Sequence, residues 1–469
     1  MAVILPKPNV PFLLERPDLV TPQWYEKLKQ VADQSGGASL TAASEAEAIA
    51  GTENGKYSTP LRVADAIKGY AFPVYTGGAS RTIVDRTRDW IVANDFDTTG
   101  TGSGDLAALN AATAQCLTDL NKGILITRPF APSGTWVIGP TGSPIAQGVR
   151  ISGAGNTAVI RPGASMTNLI EISAYPFTIE GLNLRNGSGL AVNAIHVDKG
   201  NNTYVCHIRN NQFESWLGVT SRCINVAYLN DCIHVEGNHA NGCTFFWTLR
   251  GGNYECLGTK NTLNFCTYGL QVLRPSGLRQ VEGLKYYRNT HLASTVSVYM
   301  AGSYMCWIDN NMFGSHRGSG NGIWIDSSTH PNTENEIIGN FIGGEGYGNF
   351  GIVVNGTGAA CQDNRFVGNR ISEWPVAGIA IAGSGNDNYI GQIVKDNVVR
   401  YNTGSPSQAG IVMDNTPAAT VQNNHCYTNG STAMILSGTS TGSTYGYNVF
   451  RNGGLSVGGS GWSNEGANR

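Results

Sequence analysis

Charge is scarce in this sequence, and long apolar runs are absent. Of its 469 residues, 14 % are charged, with 31 Lys or Arg against 33 Asp or Glu; a usual soluble protein has about 25 %. The net charge of -2 leaves no polybasic surface for nucleic acid or anionic lipid. No segment approaches the ~18 apolar residues of a membrane-spanning helix. The amino terminus is apolar only until Pro6 and Pro8 interrupt it, so it lacks the core and the cleavage site of a secretory signal. Cysteine pairs are missing as well. Cys206, Cys223, Cys232, Cys243, Cys256 and Cys266 show no C-x-x-C spacing and read as buried thiols acting as small hydrophobes, without zinc. These absences predict no metal, no cofactor, no membrane insertion and no nucleic-acid partner, in a chain made in the cytoplasm without a signal peptide.

Glycine and asparagine are abundant instead, at 61 and 44 residues. A hydrophobic fraction of 41 % still supplies a core and excludes disorder. Composition divides the chain into four parts. In residues 1–90, Thr21 as cap, Pro22 at the first helical position and Gly36 past the end predict one short helix with Tyr25, Leu28 and Val31 on one face. The remainder of that region is small and polar, too poor in apolar residues for a core of its own. Residues 91–122 form a capping segment, with Asp105 expected to cap a helix whose Leu106, Leu109, Cys116, Leu117 and Leu120 cover the first turn of the repetitive region. That region runs over residues 123–455, and 456–469 are a Gly/Ser/Asn-rich tail.

Two markers define the repeat. The first places an asparagine between apolar residues, around Asn211, Asn311, Asn340, Asn397 and Asn424, with weaker copies at Asn183, Asn238, Asn261, Asn289, Asn364 and Asn448. Their spacing averages about 26.5 residues, the arithmetic of a solenoid. The second, such as Gly322-Ile323-Trp324-Ile325, Gly351-Ile352-Val353-Val354 and Gly378-Ile379-Ala380-Ile381, keeps the same period and alternates as a half-buried strand does. Short strands separated by Gly and Asn predict an all-β fold: a right-handed, single-stranded parallel β-helix of about 12 turns, about 55 to 60 Å long. Asparagine is expected to ladder from turn to turn and to tolerate left-handed corners, and glycine to supply the other positive-φ bends. Asp363 and Asp396 both precede a marker asparagine and are expected as turn residues one strand spacing apart.

Two stretches resemble known families. Ser44 to Lys56, followed by Thr59-Pro60-Leu61-Arg62-Val63-Ala64-Asp65-Ala66-Ile67, is similar to a short repeat of bacteriophage tail-fibre and tail-collar proteins. Asn94-Asp95-Phe96-Asp97, the Gly-rich loop to Gly104, the Asp105 helix and Pro132-Ser133-Gly134-Thr135-Trp136 resemble the entry to the pectate-lyase-like β-helix of phage tailspikes and depolymerases. Gly148 to Gly155 and Ile160-Arg161-Pro162 look like that family's first turns. Asp97 stands where glycine is common, and the doubled Asp near the helix start is missing. The resemblance implies a virion tail component with residues 1–90 attaching it to tail or baseplate proteins. It further implies a homotrimer and a β-helix that binds and degrades capsule, exopolysaccharide or lipopolysaccharide O-chain. A noncatalytic receptor-binding or structural tail part is the alternative.

Chemistry on a polysaccharide asks for two carboxyl groups in a hydrolase, or a base and a cation in a lyase; hydrolysis is the expectation here. In the strand marker the variable positions point outward. Tyr299 and Trp324 then occupy one exposed face, with Asp326 two residues beyond Trp324, and aromatics beside a carboxylate suit a sugar ring. Glu345 and Glu373, in loops over neighbouring turns, complete the expected catalytic set with Asp326, and Trp374 joins Tyr299 and Trp324 as a substrate-binding residue. His316 and Arg317 are possible charge stabilisers, and His330 reads equally as a turn residue.

Overall fold

A computed structural model describes residues 71–72, 81–82, 90–96 and 102–469, apart from 120–122, 140–143, 188, 199–204, 228, 315, 317, 319, 357, 384–387, 401–408 and 429–431. The helix expected near residue 25, the 44–67 motif and Arg317 lie outside the described residues. The chain divides into two units, Met1–Arg88 and Asp89–Arg469. In the first, the strands Ala71–Phe72 and Arg81–Thr82 pair antiparallel.

The second unit is a parallel β-helix built on three long sheets of 15, 12 and 13 strands. A representative turn gives Trp307–Asp309 to sheet 1, Met312–Gly314 to sheet 2 and Asn321–Asp326 to sheet 3. A four-stranded sheet widens the corner leading back to sheet 1. Side chains stack inward rung upon rung: Ile323 is in register with Ile352 and Ile379, and all three are fully buried. Among the described residues no helix is long and apolar enough to cross a membrane.

The asparagine ladder forms at the corner between sheets 1 and 2. From Asn211 through Asn238, Asn261, Asn289, Asn311, Asn340, Asn369, Asn397 and Asn424 to Asn448, each Nδ2 donates to the next Oδ1 at 2.9–3.1 Å. The left-handed backbone belongs to the residue before each rung, as at Asn310, φ 50°, and Asp396, φ 56°. Asn364 is not a rung of this series. With Asn335 and Gln392 it makes a second ladder at the entrance to sheet 1. Asp363 and Asp396 therefore occupy different corners, separated by a strand of sheet 1, and are not one strand spacing apart. Asn183 likewise aligns with Gln212 and stands outside the series.

The strand-marker glycines have a steric cause, since none of Gly269, Gly322 and Gly351 has positive φ. They face inward against sheet 2: a Cβ on Gly269 would stand 2.1 Å from the His291 ring, and one on Gly322 would stand 2.4 Å from Ile342. Nine of the ten cysteines are buried. Burial pushes the Cys306 and Cys361 thiols up to about 12, so they act as apolar filling.

Both ends differ from expectation. The helix α1 spans Gly102–Thr118, beginning three residues before Asp105. Asp105 instead ties the helix to the following loop, accepting from Arg128 Nη2 at 3.0 Å and from the Ala131 N–H at 2.6 Å. The helix face against the first turns is buried at Ala108, Leu109, Ala112 and Cys116, and Trp136 Nε1 donates to Thr113 Oγ1 at 2.8 Å. At the other end, the residues expected as a tail continue the solenoid. Leu455–Val457 and Ser460–Asn464 are rungs of sheets 3 and 1, and Asn468 Oδ1 accepts from the Asn448 N–H at 3.0 Å.

Candidate functional site

Strands of sheet 3 do not alternate strictly. Two consecutive residues, such as Cys223 and Ile224, or Phe246 and Trp247, are both fully buried, so residues three apart both face out. Register then lines up two outward columns. One carries Asn193, Arg222, Phe245 and Tyr268; the other carries His196, Asn225, Thr248, Gln271, Tyr299 and Trp324.

Four rings succeed one another across the rungs. Phe245 and Tyr268 stack with centroids 4.9 Å apart, Tyr268 meets Tyr299 edge-on at 6.2 Å, and Tyr299 meets Trp324 edge-on at 5.1 Å. The polar atoms of this band are held. The Tyr299 hydroxyl donates to Asp326 Oδ2 at 2.8 Å, the Ser328 N–H to Asp326 Oδ1 at 2.9 Å, and Trp324 Nε1 to Asn355 Oδ1 at 2.8 Å. Burial, then the neighbouring Asp326, pushes the Tyr299 phenol well above its ordinary value, so it stays a donor. Trp324 also packs with Phe350, Val353, Ala377, Ala380 and Val412 in an apolar cluster separate from the main core. Beside Asp326, burial followed by Arg274 lowers the His330 imidazole while Asp326 opposes the shift. Sequence pattern alone does not disclose Asn355, which meets Trp324 only from a neighbouring rung.

Glu345 and Glu373 lie elsewhere. They sit at the corner entering sheet 3, where Gly346 N–H donates to the Glu373 carbonyl at 2.9 Å and Gly344 N–H to that of Ser372 at 2.9 Å. The two glutamates are thus on neighbouring rungs, ~4.8 Å apart along the axis. Asp326 ends its sheet 3 strand, five residue steps from Asn321, so the width of the sheet, about 16 Å, separates it from that corner. The three carboxylates do not converge. Glu345 instead borders a cleft of about 760 Å³ with Phe265, Leu292, His316 and Tyr347; Phe265 and Tyr347 are 51 % and 61 % exposed.

Trp374 is not a surface residue. It is 1 % exposed, its Nε1 donates to the Ile342 carbonyl at 3.3 Å, and its ring lies 4.7 Å from that of His316. The glycines around it explain this: Gly344 and Gly348 leave room for the indole, and a Cβ on Gly348 would stand 2.5 Å from it. His316 is equally buried, bonded to Ser297 Oγ and the Gly343 carbonyl at 3.0 Å each. Burial lowers it to about 4, which makes it a neutral core group and no charge stabiliser.

No family model matches the sequence, and no curated protein matches it. Solved structures do match the fold. The Dettilon tailspike protein is similar over 80 % of this chain and 70 % of its own, with TM-score 0.55 and 14 % identity. The catalytic unit of an α-1,3-glucanase from Streptomyces thermodiastaticus gives 0.55 at 14 % identity, covering 81 % of this chain and 68 % of that one. A double mutant of the E. coli bacteriophage HK620 tailspike, solved with a pentasaccharide, gives 0.54 at 13 % identity and covers 85 % of both chains. The chain shares the parallel β-helix of these proteins.

Proposed function

We propose that this chain is a phage tail component that binds bacterial surface polysaccharide along the outer face of sheet 3 and cleaves it by hydrolysis. The carrying observation is the aromatic band from Phe245 to Trp324, which ends at the Tyr299–Asp326 pair. Cross-strand aromatic pairs also stabilise sheets, by about 0.2 to 1 kcal/mol each, but that alone does not call for a carboxylate at the edge of the rings. Pyranose rings have apolar faces for the aromatic rings and hydroxyl edges that donate to the carboxylate. Two tailspikes and a glucanase on the same fold support the substrate class.

Glu345, beside the aromatic-walled cleft, and Glu373, on the neighbouring rung, are the proposed acid and base. One protonates the leaving glycosidic oxygen, and the other acts at the opposite face of the anomeric carbon, as nucleophile where the carboxyls stand about 5 Å apart or as base toward the attacking water where they stand about 6.5 to 9.5 Å apart. Asp326 is proposed as a hydroxyl acceptor that also assists turnover, residues 1–90 as the attachment region and a homotrimer as the assembly. In binding and turnover assays on capsule and lipopolysaccharide, Trp324→Ala should weaken binding by roughly 1 to 3 kcal/mol, while Glu345→Gln and Glu373→Gln should reduce turnover and largely spare binding. Wild-type turnover that survives Asp326→Asn, Glu345→Gln and Glu373→Gln together would place the chemistry elsewhere.

A further inference from the structure

The aromatic band continues, toward the amino-terminal end of sheet 3, into a polar patch that the polysaccharide reading leaves unused. Arg222 lies over the Phe245 ring, its Cζ 5.2 Å from the centroid, and its Nη1 donates to the Thr220 carbonyl at 2.7 Å. Its Nε is buried and finds no partner among the described residues. Asn193 is its register partner one rung below and is only 5 % exposed. The Asn193 Nδ2 donates to Asn168 Oδ1 at 2.8 Å, yet its Oδ1 also lacks a partner among the described residues. An unpaired donor and an unpaired acceptor thus sit on adjacent rungs, where buried polar groups are normally satisfied.

A second guanidinium comes from the other edge of the sheet. Arg250 Nε reaches Asn225 Oδ1 at 3.5 Å, and Asn225 Nδ2 meets His196 Nδ1 at 2.8 Å. Burial lowers the His196 imidazole despite Glu171 and Asp198 nearby. The neutral ring accepts from the Asn225 amide, which leaves Asn225 Oδ1 turned to Arg250. Burial, then Arg250, also lowers Arg222, so the two cations bear on each other. Neither pairs with a carboxylate among the described residues. Four arginines on sheets 1 and 2 behave differently: Arg150, Arg185, Arg209 and Arg365 each hold a glutamate at 2.6–2.9 Å.

We infer that Arg222 and Arg250, one at each edge of sheet 3, receive carboxylates of an acidic glycan, so that the polysaccharide bound along sheet 3 is an acidic one. The inference rests on the polysaccharide reading above and adds its charge class. A guanidinium fixed over an aromatic ring is preorganised for a carboxylate, and charge-assisted bonds of this kind are about twice as strong as neutral ones. The aromatic column starting at Phe245 then takes the neighbouring rings of the same glycan.

The test uses the full chain and a panel of capsular and O-chain polysaccharides, each before and after carbodiimide-borohydride reduction of its uronate carboxyls. Wild-type binding should fall at least tenfold on carboxyl reduction. Arg222→Gln and Arg250→Gln should each weaken binding of the native acidic glycan at least tenfold, leave binding of the reduced one unchanged, and keep the wild-type thermal transition. Binding indifferent to carboxyl reduction, or unchanged in both variants, would overturn the inference while leaving the polysaccharide reading in place. Binding to no member of the panel would overturn the reading itself, and the inference with it.

Discussion

Asn340 offers the sharpest test of how the solenoid is held together. It is fully buried in mid-ladder. Its Oδ1 accepts from the Asn311 backbone N–H at 3.0 Å and from the Asn311 amide at 2.9 Å, while its Nδ2 donates to the Ile308 carbonyl at 2.8 Å and to Asn369 Oδ1 at 3.0 Å. Asn340→Ala removes these four bonds, but two of the partners stay satisfied. Asn369 Oδ1 keeps the Asn340 backbone N–H at 3.0 Å, and Asn311 Nδ2 keeps the Tyr286 carbonyl at 2.9 Å. The Asn311 N–H and the Ile308 carbonyl lose their side-chain partner. The Ile308 carbonyl stays in the sheet 1 ladder opposite Ile337, so only the Asn311 N–H is stripped, at an expected cost of about 1 to 3 kcal/mol. Each turn contacts only its neighbours, so the loss should be local. Hydrogen exchange should accelerate in the strands Trp307–Asp309 and Phe341–Gly343 well before distant turns respond. Arg370→Ala, at an exposed sheet 2 position one residue past the ladder, should change stability by less than ~0.5 kcal/mol. If Asn340→Ala behaves like that control, the ladder is packing and not hydrogen bonding.

The buried histidines and the two-unit division each carry a further expected outcome. Burial lowers His291 to about 3 and His316 to about 4, against about 6.5 in an unfolded chain; the folded values are the lower ones, so the unfolded chain takes up protons first. Stability should hold above pH ~6.5 and fall as the pH drops toward 4, and a urea midpoint unchanged between pH 7 and pH 5 would refute it. For the attachment region, a chain beginning at Asp89, where the second unit starts, should keep its melting transition and glycan binding yet fail to enter particles, and normal incorporation would remove the anchor proposal.

The repeat was legible because each of its signals has one physical cause. Asn340 recurs as a ladder rung because only a side-chain amide both donates and accepts along the axis, and Ile323 recurs because one face of its strand is always inside. Errors arose where two causes share one residue type. Asn364 looks like Asn340 in sequence but serves a second corner, which moved Asp363 away from Asp396. Trp374 looks like an exposed aromatic until Gly344 and Gly348 are seen to clear a hole for it.

The site was legible to the same depth. Tyr299, Trp324 and Asp326 obey strict alternation from Ile323, and the structure brings them together. Arg222 and Tyr268 do not obey it, because the buried doublets Cys223–Ile224 and Gly269–Leu270 shift the outward phase by one residue at the start of each sheet 3 strand. Alternation from Ile224 would turn Arg222 inward, among Cys223, Ile224 and Val226, where a guanidinium has no partner. The doublet turns it out over Phe245 instead. A kink of one residue, repeated in every turn, thereby adds a second outward column to a sheet whose alternation announces only one, and the aromatic band becomes continuous only when both columns are counted.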